Sequence, residues 1–203
     1  LMPDRSNFKL WTKFIILSLA FFFLVLALAN PQIGSKLEEV ERKGVDLVIA
    51  LDVSNSMLAE DIKPNRLERA KRAISQLIDK LEGDRIGIVV FAGKAYMQLP
   101  ITSDYSAAKL FLSTIDTDIV PTQGTSIGQA IDLSLTAFSD NKHEKAIVVI
   151  TDGEDHDDNP ISAAEKAAAE GIKVYTIGIG LPEGAPIPEY SNGQQMGFKK
   201  DLS

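Results

Sequence analysis

Asp52, Ser54 and Ser56 stand at every second position directly after an apolar run, in the stretch VIALDVSNSM from Val48 to Met57. Side chains alternate along an extended chain, so these three can face one way while Val53 and Asn55 face the other. Three oxygens then converge on one spot. Carboxylate and hydroxyl oxygens suit a hard divalent cation, and Mg2+ prefers six oxygens in a near-octahedral array. If Asp152, within Thr151-Asp152-Gly153, and a hydroxyl from the Thr125 loop join them, five protein side chains approach one ion, directly or through water. At least one position stays open. The plainer reading of a lone D-x-S-x-S is structural, because Asp and Ser after a strand are common helix caps and turn formers.

The elements that must position these residues alternate along the chain. Four apolar runs of strand length, Val45 to Leu51, Ile86 to Ala92, Ala146 to Ile150 and Val174 to Ile179, are rich in Val and Ile without polar alternation. Such runs suit strands buried on both faces, as in a parallel sheet. Between them, Leu67, Ala70, Ile74, Leu77, Ile78 and Leu81 fall at helical spacing, with Asn65 as N-cap and Gly83 as stop. Ser103 to Ile115 and Ser126 to Phe138 repeat that pattern. Pro160 to Glu170 has Asn159 at its cap and Gly171 beyond its end. The expectation is an α/β domain, doubly wound, with a mostly parallel sheet and helices on both faces. Ligands of such sheets bind at the carboxyl ends of the strands, so the Asp52 and Asp152 clusters should be neighbours.

At 203 residues the chain is long enough for one sizeable core and an appendage. A net charge of -7 with no basic stripe argues against nucleic acid as a partner. The absence of cysteine excludes disulfides, thiolate chemistry and zinc-finger sites. The chain opens on Leu1 and stops after a turn-rich stretch without a closing helix, which reads as a fragment of a longer protein.

Phe14 to Ala29 is free of charge and proline. It amounts to roughly 24 Å of helix against a hydrocarbon core of about 30 Å, and Leu10 to Lys13 can extend it. A core helix would show a polar stripe, and this segment has none. A retained transmembrane helix over 14–29 is the expectation, with a juxtamembrane segment 1–13 before it and a linker 30–43 after it. Ala27-Leu28-Ala29 also fits a signal-peptidase site behind a basic start, which leaves cleavage as the alternative. Arg5, Lys9 and Lys13 place the chain beyond the helix on the exported side, a contrast weakened by Lys36, Arg42 and Lys43.

Asp52-x-Ser54-x-Ser56, then Gly124-Thr125 at a helix start, then Thr151-Asp152-Gly153 resemble the metal-ion-dependent adhesion site (MIDAS) of von Willebrand factor type A (VWA) domains. With ANPQIGSKLEEVERKGVDLVIALDVSNSMLAEDIKPNRLERAK, the resemblance narrows to the membrane-anchored Bat (aerotolerance) family of bacteria and covers nearly the whole chain. It implies a VWA domain over 44–203, incomplete at its C-terminal end, outside the cytoplasmic membrane. It further implies a metal site of Asp52, Ser54, Ser56, Thr125 and Asp152 holding Mg2+, Mn2+ or Ca2+, and a link to other Bat proteins and a MoxR-type AAA+ ATPase. Two carboxylates only neutralise a divalent ion and the hydroxyls leave it electrophilic, so an acidic residue of a partner protein is the natural further ligand.

Two rival functions stay in view. An Mg2+-dependent phosphoryl hydrolase could use Asp52 as nucleophile, but enzymes of that kind usually carry a second aspartate two residues later, where this chain has Ser54. A metal-free scaffold is the other. Glu154, Asp155, His156, Asp157 and Asp158 read as a solvated acidic turn before the helix at Pro160, and His143 as an exposed loop residue. Phosphate-loop near misses at Gly87 to Lys94 and from Gly178 to Gly184 fail on spacing. No catalytic residue is expected.

Overall fold

The computed structural model describes residues 7–29, 44–139, 143–153, 159–181, 186–191 and 194–199. The chain divides into two units, 1–41 and 42–203. The expected linker 30–43 and the acidic turn Glu154 to Asp158 lie outside the described residues.

In the first unit, α1 runs Asn7–Ala29, so the helix starts seven residues before the expected Phe14 and takes in Lys9 and Lys13. Its 23 residues span about 34 Å, which removes the shortfall against a bilayer core. Phe8–Ala29 is long and apolar enough to cross a membrane, and none of it is buried.

The second unit is built on a five-stranded sheet of β1 (Val45–Asp52), β2 (Arg85–Phe91), β3 (Ala95–Thr102), β4 (Glu144–Thr151) and β5 (Lys173–Gly178). The strand order is β3-β2-β1-β4-β5. β1 pairs in parallel with β2 and β4, β4 pairs in parallel with β5, and β3 alone is antiparallel. Alternation along β1 divides the core. Leu47, Ile49 and Leu51 pack with Leu67, Ala70, Ile74 and Ile78 of α2 (Arg66–Ile78) and with Ala108 and Leu112 of α3 (Tyr105–Ser113). Val48 and Ala50 pack on the other face with Ala130, Ile131 and Leu135 of α4 (Ile127–Ala137) and with Ala163 and Ala167 of α5 (Pro160–Ala169). This is the doubly wound, mostly parallel architecture expected from the apolar runs.

Several boundaries depart from expectation. α2 is capped by Asn65, whose side chain accepts from the Glu68 amide, but it ends at Ile78 rather than near Gly83. The Lys80 and Leu81 amides turn back onto the Leu77 and Ile78 carbonyls, closing the helix by tighter turns. β5 is not buried on both faces: it lies at the sheet edge, with Tyr175 54% and Ile177 48% exposed. β3 follows β2 through a short turn at Gly93-Lys94, and its Pro100 sits where an edge strand tolerates a missing amide. The turn-rich C-terminal stretch forms a hairpin, β6 (Ile187–Ser191) with β7 (Gln194–Lys199).

Candidate functional site

The chain runs from β1 to β2 and β3 on one side of the sheet and then returns to place β4 on the other side of β1. The order therefore reverses between β1 and β4, where doubly wound sheets open a crevice at their carboxyl ends. Asp52 closes β1 and Asp152 directly follows β4.

Asp52 is fully buried. Its Oδ1 accepts the Ser54 amide at 2.9 Å and its Oδ2 accepts the Thr151 hydroxyl at 2.7 Å, so the two expected clusters do meet. Ser54 is extended, but Asn55–Leu58 then winds into a 3-10 turn, and the Ser54 and Ser56 Oγ atoms lie 2.9 Å apart. The two serines thus converge through a tight turn and not through continued strand alternation. Burial pushes the Asp52 carboxyl up to about 6; hydrogen bonds from Ser54 and Thr151 oppose the rise, and the Asp152 charge adds to it.

Thr125 is buried on a third loop. That loop is stitched to the end of β2: the Gly93 amide donates to Thr122 O at 2.9 Å, the Ser126 amide to Ala92 O at 2.8 Å and the Ser126 hydroxyl to Gly93 O at 3.2 Å. A Cβ on Gly93 would stand 2.5 Å from Gln123 O, so glycine is required for this approach. The loop also reaches the Asp52 segment, because Gln123 Oε1 accepts the Asn55 amide at 3.2 Å. The five expected residues therefore sit on three loops at one end of the sheet.

Arg66, Asp61 and Gln123 were not foreseen. Arg66 Nη1 donates to Asp152 Oδ2 at 2.8 Å, while its Nε and Nη2 hold Asp61 at 3.0 and 2.8 Å. The Arg66 guanidinium holds the Asp61 carboxyl below the usual carboxylate range. The one signal in the sequence was a cation at the first position of α2, where the helix dipole disfavours positive charge. His143 is also corrected: it is half-buried, with Nδ1 2.8 Å from Asp46 Oδ1, and Arg85 grips the same carboxylate at the opposite end of β1.

Among the described residues no group of three or more His, Cys, Asp or Glu is placed to hold a metal ion. The set expected from the sequence is of another kind, two carboxylates and three hydroxyls, with one carboxylate, Asp152, also bonded to Arg66. It fits a hard cation, since Asp52 is a buried anion whose hydrogen bonds from Ser54 and Thr151 come from neutral groups.

Residues 47–154, just over half of the chain, match the von Willebrand factor type A domain family. The conserved hypothetical protein BatB of Bacteroides thetaiotaomicron has 51% identity and a TM-score of 0.74, with 78% of this chain and 77% of that one covered. An aerotolerance-related membrane protein of Bacteroides fragilis has 51% identity and a TM-score of 0.73, with 78% of each chain covered. An uncharacterized protein of Borreliella burgdorferi is 36% identical over 187 residues, 88% of this chain and 53% of that protein. The chain spans about half the length of the curated relatives it matches. Proximal thread matrix protein 1 of the mussel byssus, solved with a zinc-occupied MIDAS motif, shares the fold at 21% identity and a TM-score of 0.59, over 66% of this chain and 35% of that one. The chain belongs to the von Willebrand factor type A domain family, among its Bat-like members.

Proposed function

We propose that this chain is a membrane-anchored interaction module in which Asp52, Ser54, Ser56, Thr125 and Asp152 hold a divalent cation, Mg2+ with Mn2+ or Ca2+ as substitutes, that recruits a protein partner. VWA domains of Bat-like proteins are in general non-catalytic interaction modules. The observation that carries the reading is Asp52: a fully buried carboxylate at the sheet's switch point, pushed up to about 6 by burial, that accepts the Ser54 amide and the Thr151 hydroxyl. The bound ion would supply an electrophilic position for an acidic side chain. Ser54, Ser56 and Thr125 bring oxygens without charge, so the site does not overneutralise a divalent ion. The zinc-occupied MIDAS of the mussel protein supports metal binding by this fold.

In this reading α1 anchors the chain in the bacterial cytoplasmic membrane, with Lys9 and Lys13 inside and the domain over 44–203 outside. Other Bat proteins and a MoxR-type ATPase are the proposed functional neighbours. Copurification from membranes tests the function: a partner retained with Mg2+, released by chelator and missing with Asp52→Ala supports it. A partner set indifferent to all three refutes it.

A further inference from the structure

Arg66 begins α2 at the position where a cation meets the positive end of the helix dipole, and its side chain is only 8% exposed. Burying a guanidinium there is unfavourable unless carboxylates compensate it. Two do so. Asp61 takes a forked pair of bonds, and Asp152, with its side chain 1% exposed, takes the third. The guanidinium also lies against Gly180, at φ +152, where a Cβ would stand 3.2 Å from Cζ. The neighbouring Leu181 amide donates to Asp61 Oδ2 at 2.8 Å, so the segment just after β5 closes the enclosure.

We infer that Arg66 is a positioning residue of the ion site: locked by Asp61, it holds the Asp152 carboxylate beside Asp52, and Asp61 supplies the countercharge. The inference rests on the metal reading above. Two effects of Arg66 on an ion oppose each other. Its charge repels a cation, whereas its bond keeps Asp152 from swinging away from the like charge of Asp52. The Asp61–Arg66 pair carries almost no net charge, so the repulsion is reduced to that of a dipole, while the orienting bond is undiminished. Orientation therefore wins. A lysine in this place keeps the charge but cannot present the planar fork that bonds both carboxylates.

The test titrates Mn2+ alone into the full chain in detergent, by calorimetry and by the paramagnetic resonance spectrum of the bound ion, with folding followed by circular dichroism. Arg66→Lys should weaken Mn2+ binding about ten-fold or more and alter the spectrum, as expected when a group that orients a ligand is lost. In an Asp152→Asn background the same change should add no further loss. Gly180→Ala, which crowds the guanidinium without changing charge, should act in the same direction and stands in if Arg66→Lys does not fold. Unchanged or tighter binding by the folded variants, or a full additive loss without Asp152, overturns the inference alone when wild type binds and Asp52→Ala does not. Failure of wild type to bind Mn2+ overturns the metal reading and this inference together.

Discussion

Replacing Asp52 with Asn should stabilise the ion-free fold near neutral pH and remove its response to divalent ions. The carboxyl, ordinarily near 3.8, is pushed up to about 6 in the fold, first by burial. A folded value above the unfolded one means that the native state holds the proton more tightly. This group therefore favours folding fully below about pH 4, and that contribution is lost as pH rises through about 6. Above that window the buried charge costs about 3 kcal/mol, from about two pH units at about 1.4 kcal/mol each. Asparagine removes this cost, but the Ser54 amide and the Thr151 hydroxyl reach different carboxylate oxygens, so one of these donors must face the asparagine NH2 in place of an acceptor. Losing one of those bonds costs about 1 kcal/mol, which leaves a net gain of about 2 kcal/mol. In a domain of this size that is about 4–8 °C in Tm. Thermal unfolding followed by far-ultraviolet circular dichroism, with chelator or with Mg2+, measures it. Mg2+ should raise the wild-type Tm and leave the variant's unchanged. Near pH 4 the variant's advantage should vanish. A variant no more stable than wild type in chelator at neutral pH, or an advantage that persists at pH 4, would refute the buried-charge argument.

Gly93→Ala should destabilise the domain by about 1–3 kcal/mol and weaken ion binding, because its Cβ would press on backbone at Gln123 and displace the Thr125 loop; chemical denaturation and Mn2+ titration report the two effects. The purified chain with Mg2+ should not hydrolyse generic phosphate esters, and turnover that disappears in Asp52→Asn would instead support the hydrolase. A longer form expressed in a bacterium should stay in the membrane pellet after alkaline carbonate washing, at a mass that includes everything before Asn30. A soluble exported product beginning at Asn30 would show that Ala27-Leu28-Ala29 is cut.

What the sequence showed of the fold tracks burial. β1, β2 and β4 are central and covered on both faces, so their apolar runs are continuous and legible. β3 at the edge exposes Tyr96 and carries Pro100, which dilutes the pattern, while Pro188 in β6 and Gly197 in β7 make the hairpin strands resemble turns. The meeting of the Asp52 and Thr151 clusters was legible because each closes one of two neighbouring central strands at the same end of the sheet. The Asp61–Arg66–Asp152 bridge was not, since it joins residues 86 positions apart and no local spacing encodes a tertiary contact. His143 was misjudged for the same reason: its partner Asp46 lies 97 positions away.

The most direct test of the central claim is calorimetric titration of Mg2+ and Mn2+ into the full chain and into Asp52→Ala and Asp152→Ala, each verified as folded by circular dichroism. Saturable binding of a single ion by wild type, absent from both variants, is the predicted result. Equal binding in wild type and both variants would contradict the account and return Asp52, Ser54 and Ser56 to the role of turn and cap.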